Sequence, residues 1–379
     1  MTDAAALAAM RVAHQHLSGP RPDRPEDVVR ALGAVQAQDP GQSLWALGLR
    51  TAGARLADVE RALAEGRIVR TWAMRGTLHH VPAEDAGWMV DLLAARVAAR
   101  LGPSAWRYHR VDHEVMDQAR RTLVAGLAGG RAMTRPDVAA ALAAVGIPDD
   151  RQQVYFILGY LAQTGVVCPG PPLAGVQTFV LLEEWAPRRR ALAPDEAVAL
   201  LAGRFFASHG PATVGDLATW SGLSMREARD GLAAVAHGLV RDVVSGQEYW
   251  RAASSDPTPD PGGGAALLPA YDELLIGYRD RSAAFARHGE VAISTYNGMF
   301  HATMVADGQV VGLWRRTLAA RRVRVELRPL PGIDPAPFEA AATALGTFLG
   351  RTASVRVTGE APRAAPAAPA SWRRRAAAS

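Results

Sequence analysis

The sequence predicts an α+β chain built from small tandem units, and three observations predict it. A pattern of helix, helix, helix and short hairpin recurs at roughly 80–100 residues, longer than the usual solenoid periods. X-Gly pairs such as Arg75-Gly76 and Ser245-Gly246 stand between short alternating runs, as hairpin turns require. After the Pro/Gly-rich stretch Asp256–Gly264 the pattern changes to a strand meander.

The third copy is the clearest. Ala193–Ser208 is apolar-periodic. Thr213 caps Val214–Trp220 with Asp216 three positions on, and Ser224 caps a helix through His237 with Glu227 three on. Leu239–Val244, Ser245-Gly246 and Gln247–Arg251 form the hairpin. The second copy reads Glu114–Leu127, Thr134–Ala144 and Asp150–Gln163, with strands Val166–Cys168 and Thr178–Leu182 around a Pro/Gly-rich tip, Pro169–Gly175. The first copy reads Ala4–Leu17, Pro25–Val35 with Pro at the first helical position, Ser43–Thr51 and Leu56–Ala64. Its hairpin is Ile68–Met74 and Thr77–Val81. Three helices and a two-stranded wing make each copy a winged-helix unit, expected at 1–110, 111–190 and 191–255.

The remainder, 265–360, is expected to be a β-rich unit with one helix. Ala292–Tyr296, Phe300–Val305 and Val310–Trp314 are strands turned at Asn297-Gly298 and Asp307-Gly308. Val323–Arg328, helix Pro337–Leu349 and Val355–Thr358 complete it. Residues 361–379 are Ala/Pro/Arg-rich and read as a disordered basic tail.

At 379 residues and 49% hydrophobic, the chain exceeds one ordinary domain and has ample core. The net charge of +5 favours an anionic partner, nucleic acid above all. Every basic side chain is arginine, a better fork for phosphate than lysine. The absence of lysine also removes the ordinary donor of a Schiff base. Cys168 is the sole cysteine, which excludes an intrachain disulfide and Cys-based zinc or four-Cys iron–sulfur sites. His109 and His113 have no third ligand in view, so no metal or cofactor is expected. The N-terminus lacks a charged region followed by an apolar run, and no stretch approaches a membrane span. A cytoplasmic, nucleoid-associated monomer is expected.

The recognition-helix positions, Ser43–Thr51, Asp150–Gln163 and Ser224–His237, are weakly basic: Arg50 in the first, Arg151 in the second, and Arg226 and Arg229 interleaved with Glu227 and Asp230 in the third. Sequence-reading helices present Arg, Asn or Gln to base edges, so backbone or shape contact fits better than operator reading. In Val35-Gln36-Ala37-Gln38-Asp39-Pro40, Asp39-Pro40 disfavours helix. In an extended segment Gln36 and Gln38 face the same way and could orient a water or clasp a sugar. By spacing alone they could equally be polar residues of a turn. His79-His80 ends the first wing in a structural or phosphate-binding position. Tyr271-Asp272-Glu273 either brings a carboxylate near a site or starts a helix.

Val35–Asp39, the stretch Val69–His79, Leu268–Glu273 and Asn297–Trp314 together resemble the winged-helix bacterial DNA glycosylase family typified by AlkZ and YcaQ. The resemblance covers nearly the whole chain except the tail. It implies hydrolysis of the N-glycosidic bond of N7-alkylated purines, including bulky antibiotic adducts and interstrand crosslinks, in double-stranded DNA. The family's Gln-x-Gln or Gln-x-Asp motif falls on Gln36 and Gln38, the form closer to AlkZ, with Asp39 adjacent and able to assist. It also implies a lesion-side hairpin of the C-terminal sheet, which offers Tyr296, Asn297, Phe300, His301 and Arg315. In the first wing, Arg75 and His79 are the further DNA-contact candidates. With no lysine, a glycosylase of this sequence is expected to be monofunctional. A DNA-binding transcriptional regulator and a non-catalytic damage sensor are the alternatives.

Overall fold

The computed structural model describes residues 4–187, 190–253, 264–288, 291–294 and 299–361. The first 82 residues hold α1 (Ala4–His14), α2 (Pro25–Leu32), β1 (Val35–Gln36), α3 (Pro40–Arg50), α4 (Leu56–Ala64), β2 (Ile68–Met74) and β3 (Thr77–Pro82). The strands form an antiparallel sheet in the order β1-β3-β2. The same order of elements returns twice. Helix His113–Leu127 leads to strand Met133–Thr134, two helices and a hairpin, and that short strand again pairs with the second hairpin strand. Helix Pro194–Ser208 leads to Ala212, which bridges Trp250 on the second strand of the hairpin Leu239–Val244 and Gln247–Ala252.

Short-range chemistry sets these elements. Thr134, Thr213 and Ser224 cap their helices in reciprocal capping boxes. The hairpin turns Arg75-Gly76, Ala174-Gly175, Ser245-Gly246 and Asp307-Gly308 have both residues at positive φ, the geometry that matches strand twist.

Several boundaries differ from expectation. Helix α2 stops at Leu32 because Gly33 turns to φ 81, so Val35 and Gln36 become a strand and not a helix end. Helix α3 starts at Pro40 rather than Ser43, since Asp39 caps it and Pro occupies its first turn. Helix α4 directly precedes the first hairpin, with the bounds expected of it. The second hairpin is longer than expected: Val167–Leu173 continues through Pro169, Pro171 and Pro172. It is an edge strand, where the missing proline N–H groups break no ladder. Residues 83–108, unassigned from sequence, are largely helical, with a π-helical turn at Val90–Ala94. The linker up to residue 263 and the tail beyond 361 lie outside the described residues.

The C-terminal sheet has five strands, in the order Thr352–Val357, Arg322–Pro329, Gln309–Leu318, Thr303–Ala306 and Ala266–Leu268. Its apolar face shares one core with the first helices, from Val12 to Ile68. Trp45 on α3 donates its indole N–H to Leu267 O, and Trp314 donates to Leu268 O, each at 2.7 Å. Helix Pro337–Leu349 packs so closely on α3 that a Cβ at Gly48 would stand 2.2 Å from the Phe348 ring. These contacts bring Pro269–Glu273 beside β1.

Among the described residues no helix is long and apolar enough to cross a membrane. No cluster of His, Cys, Asp and Glu among them could hold a metal. His109 instead stacks on Phe156, with ring centroids 4.4 Å apart.

Candidate active site

Strand β1 carries Gln36 at the outer edge of its sheet, and the edge is held almost atom by atom. Ala37 N–H donates to Leu78 O at 2.7 Å. A continued ladder would return Leu78 N–H to Ala37 O. Instead Arg70 takes the Ala37 carbonyl through Nε and Nη2, at 3.1 and 2.9 Å. Leu78 N–H turns to Gln38 Oε1 at 3.2 Å. The Gln38 side chain thus replaces a main-chain acceptor, which fixes its amide oxygen on a residue that is otherwise exposed. A bulge at Trp72-Ala73 in β2, opposite Leu78, lies beside this irregularity.

Gln36 N–H points away from the sheet and donates to Glu273 Oε1 at 2.8 Å. Glu273 Oε2 accepts from Trp220 Nε1 at 3.0 Å and faces His209 Nε2 at 3.6 Å. Gln36 itself is half-buried, and its Oε1 is buried without a hydrogen-bond partner. Gln36, His79 and Thr71 are cross-strand neighbours on one face of the sheet.

His79 is completely buried on that face. Burial foremost, with the nearby Arg75 charge, pushes its imidazole down to about 4. Its Nδ1 meets Thr77 O, and it presents nothing to a phosphate. His80, on the opposite face, is driven to about 3 by burial and sits 3.0 Å from Ser43 Oγ. Both rings are neutral at pH 7. Arg75 anchors the first hairpin by donating to Thr219 O at 3.1 Å.

Asp39 is exposed and accepts from Gln42 N at 3.0 Å as the cap of α3. Arg315 is exposed and pairs with Glu326. The next residue, Arg316, projects toward the motif: a Cβ on Gly41 would lie 3.2 Å from its Nη2. Burial draws the Arg316 guanidinium down, with Asp39 opposing, and its Nη1 is buried without a hydrogen-bond partner. Phe300 packs on Tyr271 with centroids 5.7 Å apart and lies under Arg281. His301 is exposed. Tyr296 and Asn297 lie outside the described residues.

Asp272 and Glu273 divide the two readings of their segment. Asp272 caps the helix Glu273–Ile276 and forms a bidentate pair with Arg50 at 2.7 and 2.8 Å, both side chains fully buried. Arg50 is thus a core residue, not a surface contact. Glu273 is the carboxylate that reaches the site. Sequence reading also missed Arg70, Trp220, His209 and Arg316. A lone Arg within β2, inside a stretch already singled out, was the only local sign of any of them.

Residues 29–348 match the family described as DNA glycosylase AlkZ-like. A Streptomyces sahachiroi protein named interstrand DNA cross-link repair glycosylase is 29% identical over 320 residues, covering 81% of this chain and 86% of that protein. The solved structure of the Streptomyces sahachiroi DNA glycosylase AlkZ superposes with a TM-score of 0.74 at 26% identity, over 93% of this chain and 98% of that one. The family match spans the Gln-x-Gln edge, Glu273 and most of the C-terminal sheet, and the chain belongs to the AlkZ-like DNA glycosylase family.

Proposed function

We propose that the protein is a monofunctional DNA glycosylase that hydrolyses the N-glycosidic bond of cationic N7-alkylated purines, with bulky adducts and interstrand crosslinks among its substrates. The observation that carries this reading is the chemistry of the Gln-x-Gln edge. Among the described residues it offers one amide whose carbonyl oxygen has no hydrogen-bond partner, Gln36, and one on an exposed residue whose oxygen is fixed by Leu78 N–H, Gln38, and its histidine is held neutral. Nothing at that edge is a protonated acid.

Breaking the bond between C1′ and the base nitrogen builds positive charge on the sugar. A neutral guanine leaves poorly and needs protonation, a contribution of roughly 10²–10⁴-fold where an acid supplies it. An N7-alkylguanine already carries a cation, so its departure needs no acid. Gln36 Oε1 is the group that accepts an O–H from the attacking water or faces the sugar cation, and the Gln38 Nε2 amide donors orient the water or a phosphate. Their fixed dipoles act by preorganisation. The three repeats of helix, strand, helix, helix and hairpin serve as winged helices that cradle the duplex. Arg316, the neighbour of the DNA-contact candidate Arg315, binds a backbone phosphate beside the lesion. A cradle suits bulky and crosslinked bases, which a tight base-flipping pocket would exclude. The name of the Streptomyces sahachiroi relative supports crosslinks as substrates.

The test is incubation with duplex DNA bearing N7-methylguanine, with release of free base followed over time. Release with an intact abasic strand is expected. Tight binding without release would indicate a damage sensor, and a footprint on one defined operator would indicate a regulator.

A further inference from the structure

Two adjacent carboxylates begin the helix Glu273–Ile276, and their surroundings differ. Asp272 is neutralised by the Arg50 fork, as a structural buried carboxylate should be. Glu273 is equally buried, yet no arginine closes on it: among the described residues its ion-pair partner within reach is His209 alone, at 3.6 Å. Its two oxygens serve Gln36 N–H and Trp220 Nε1. Leaving a buried charge short of a cation costs several kcal/mol by general experience, on the order of the penalty for breaking a buried pair. A neutral acceptor would satisfy the Gln36 N–H equally well.

A second observation lies around it. Among the described residues, Gln36 Oε1, Thr71 Oγ1, His79 Nε2 and His209 Nε2 are all buried without hydrogen-bond partners. Buried polar atoms in a purely structural core are paired. Their concentration beneath the Gln-x-Gln edge marks a region arranged for chemistry at the expense of stability.

We propose that Glu273 is a positioning residue for Gln36: a buried carboxylate that pins the motif at the sheet edge and sets a negative potential behind the peptide that faces the developing sugar cation. This rests on the glycosylase reading above. Burial pushes the Glu273 carboxyl up, but the neighbouring His209 ring foremost, with the Gln36 N–H, outweighs it and leaves it below the usual carboxylate range. At 3.6 Å the influence of His209 is electrostatic. During the reaction the positive charge moves from the base to the sugar, so a fixed negative charge on the sugar side favours the transition state over the ground state.

The experiment compares wild type, Glu273→Gln, Gln36→Ala and the double variant in single-turnover release of N7-methylguanine, alongside duplex affinity. Glu273→Gln should slow release at least tenfold with affinity within twofold. On the Gln36→Ala background the same change should cost measurably less than on wild type, because the pinning acts through the Gln36 side chain while the potential still reaches the sugar directly. Glu273→Asp, which keeps the charge but withdraws it, should recover part of the rate. Release within twofold of wild type in Glu273→Gln, or equal losses on both backgrounds, overturns the proposal. Amide exchange of the peptide spanning residues 34–38 gives a readout that needs no substrate. Glu273→Ala should speed exchange of the Gln36 amide at least tenfold, and the near-isosteric Glu273→Gln should speed it less, carrying the measurement if the Ala variant does not fold. Unchanged protection overturns the positioning role. Faster exchange together with no base release from wild type instead sinks the glycosylase reading alone.

Discussion

Asp272→Ala tests how the active-site edge is held in place. The wild-type Arg50 guanidinium spends all its N–H donors: Nε on Gln15 O, Nη1 on Ala46 O and Asp272, Nη2 on Gln15 Oε1 and Asp272. Removing the carboxylate leaves a fully buried cation with two donors unpaired. Breaking a buried pair from one side costs about 3–5 kcal/mol. For a chain of this length unfolding as one cooperative unit, an unfolding entropy of ~2.1 cal/mol/K per residue converts that loss to a Tm drop of about 4–6 °C. Arg50→Met should cost a similar amount. The combined Arg50→Met, Asp272→Leu variant should recover at least half of the single-variant loss, because neither charge is then stranded. Urea unfolding followed by circular dichroism measures the wild type and the three variants. A loss below about 1 kcal/mol in Asp272→Ala, smaller than the removal of one buried partner usually costs, would refute the reasoning. So would a double variant no more stable than either single one.

Gln36→Ala and Gln38→Ala should each reduce base release by about two orders of magnitude or more, the scale of losing a preorganised dipole, with DNA binding nearly intact; near-wild-type release by the double variant would remove the motif from the mechanism. Uracil should not be released, and borohydride should trap no covalent protein–DNA species during turnover on N7-methylguanine DNA; high-yield trapping would disprove the monofunctional assignment. Duplex binding should weaken steeply with salt, and Arg316→Gln should lower the log–log slope by about one counterion; an unchanged slope would show that Arg316 meets no phosphate. Stability should fall in mild acid. His79 and His80 have folded values near 4 and 3, below the 6.5 of the unfolded chain. Between pH 6.5 and 4 the unfolded state therefore binds more protons, so their contribution is complete above pH 6.5 and lost as pH falls, by about 3 kcal/mol for His79 alone. Urea titrations at pH 7 and 4.5 check this, and His79→Gln should flatten the dependence.

The sequence by itself determined the local elements. Capping boxes at Thr134, Thr213 and Ser224, X-Gly turns with both residues at positive φ, and helical periodicity act within a few residues, so they are legible in one dimension. Leu56–Ala64, Ile68–Met74 and Pro337–Leu349 stand with the bounds expected of them. The Gln-x-Gln motif was identifiable from the family resemblance, and its extended backbone from Asp39-Pro40. Only the tertiary structure decided what surrounds the motif. Glu273 meets Gln36 across a separation of 237 residues, and no periodicity or spacing encodes such a meeting. Asp272 and Glu273 are neighbours with opposite fates because one reaches Arg50 and the other reaches β1. Arg316 faces the motif while Arg315 pairs with Glu326, because successive strand residues point to opposite faces and packing against α3 chooses which face turns inward. Local hydrogen bonding writes the elements into the sequence. The site arises where elements distant in the chain bury a shared core, and that choice exists only in three dimensions.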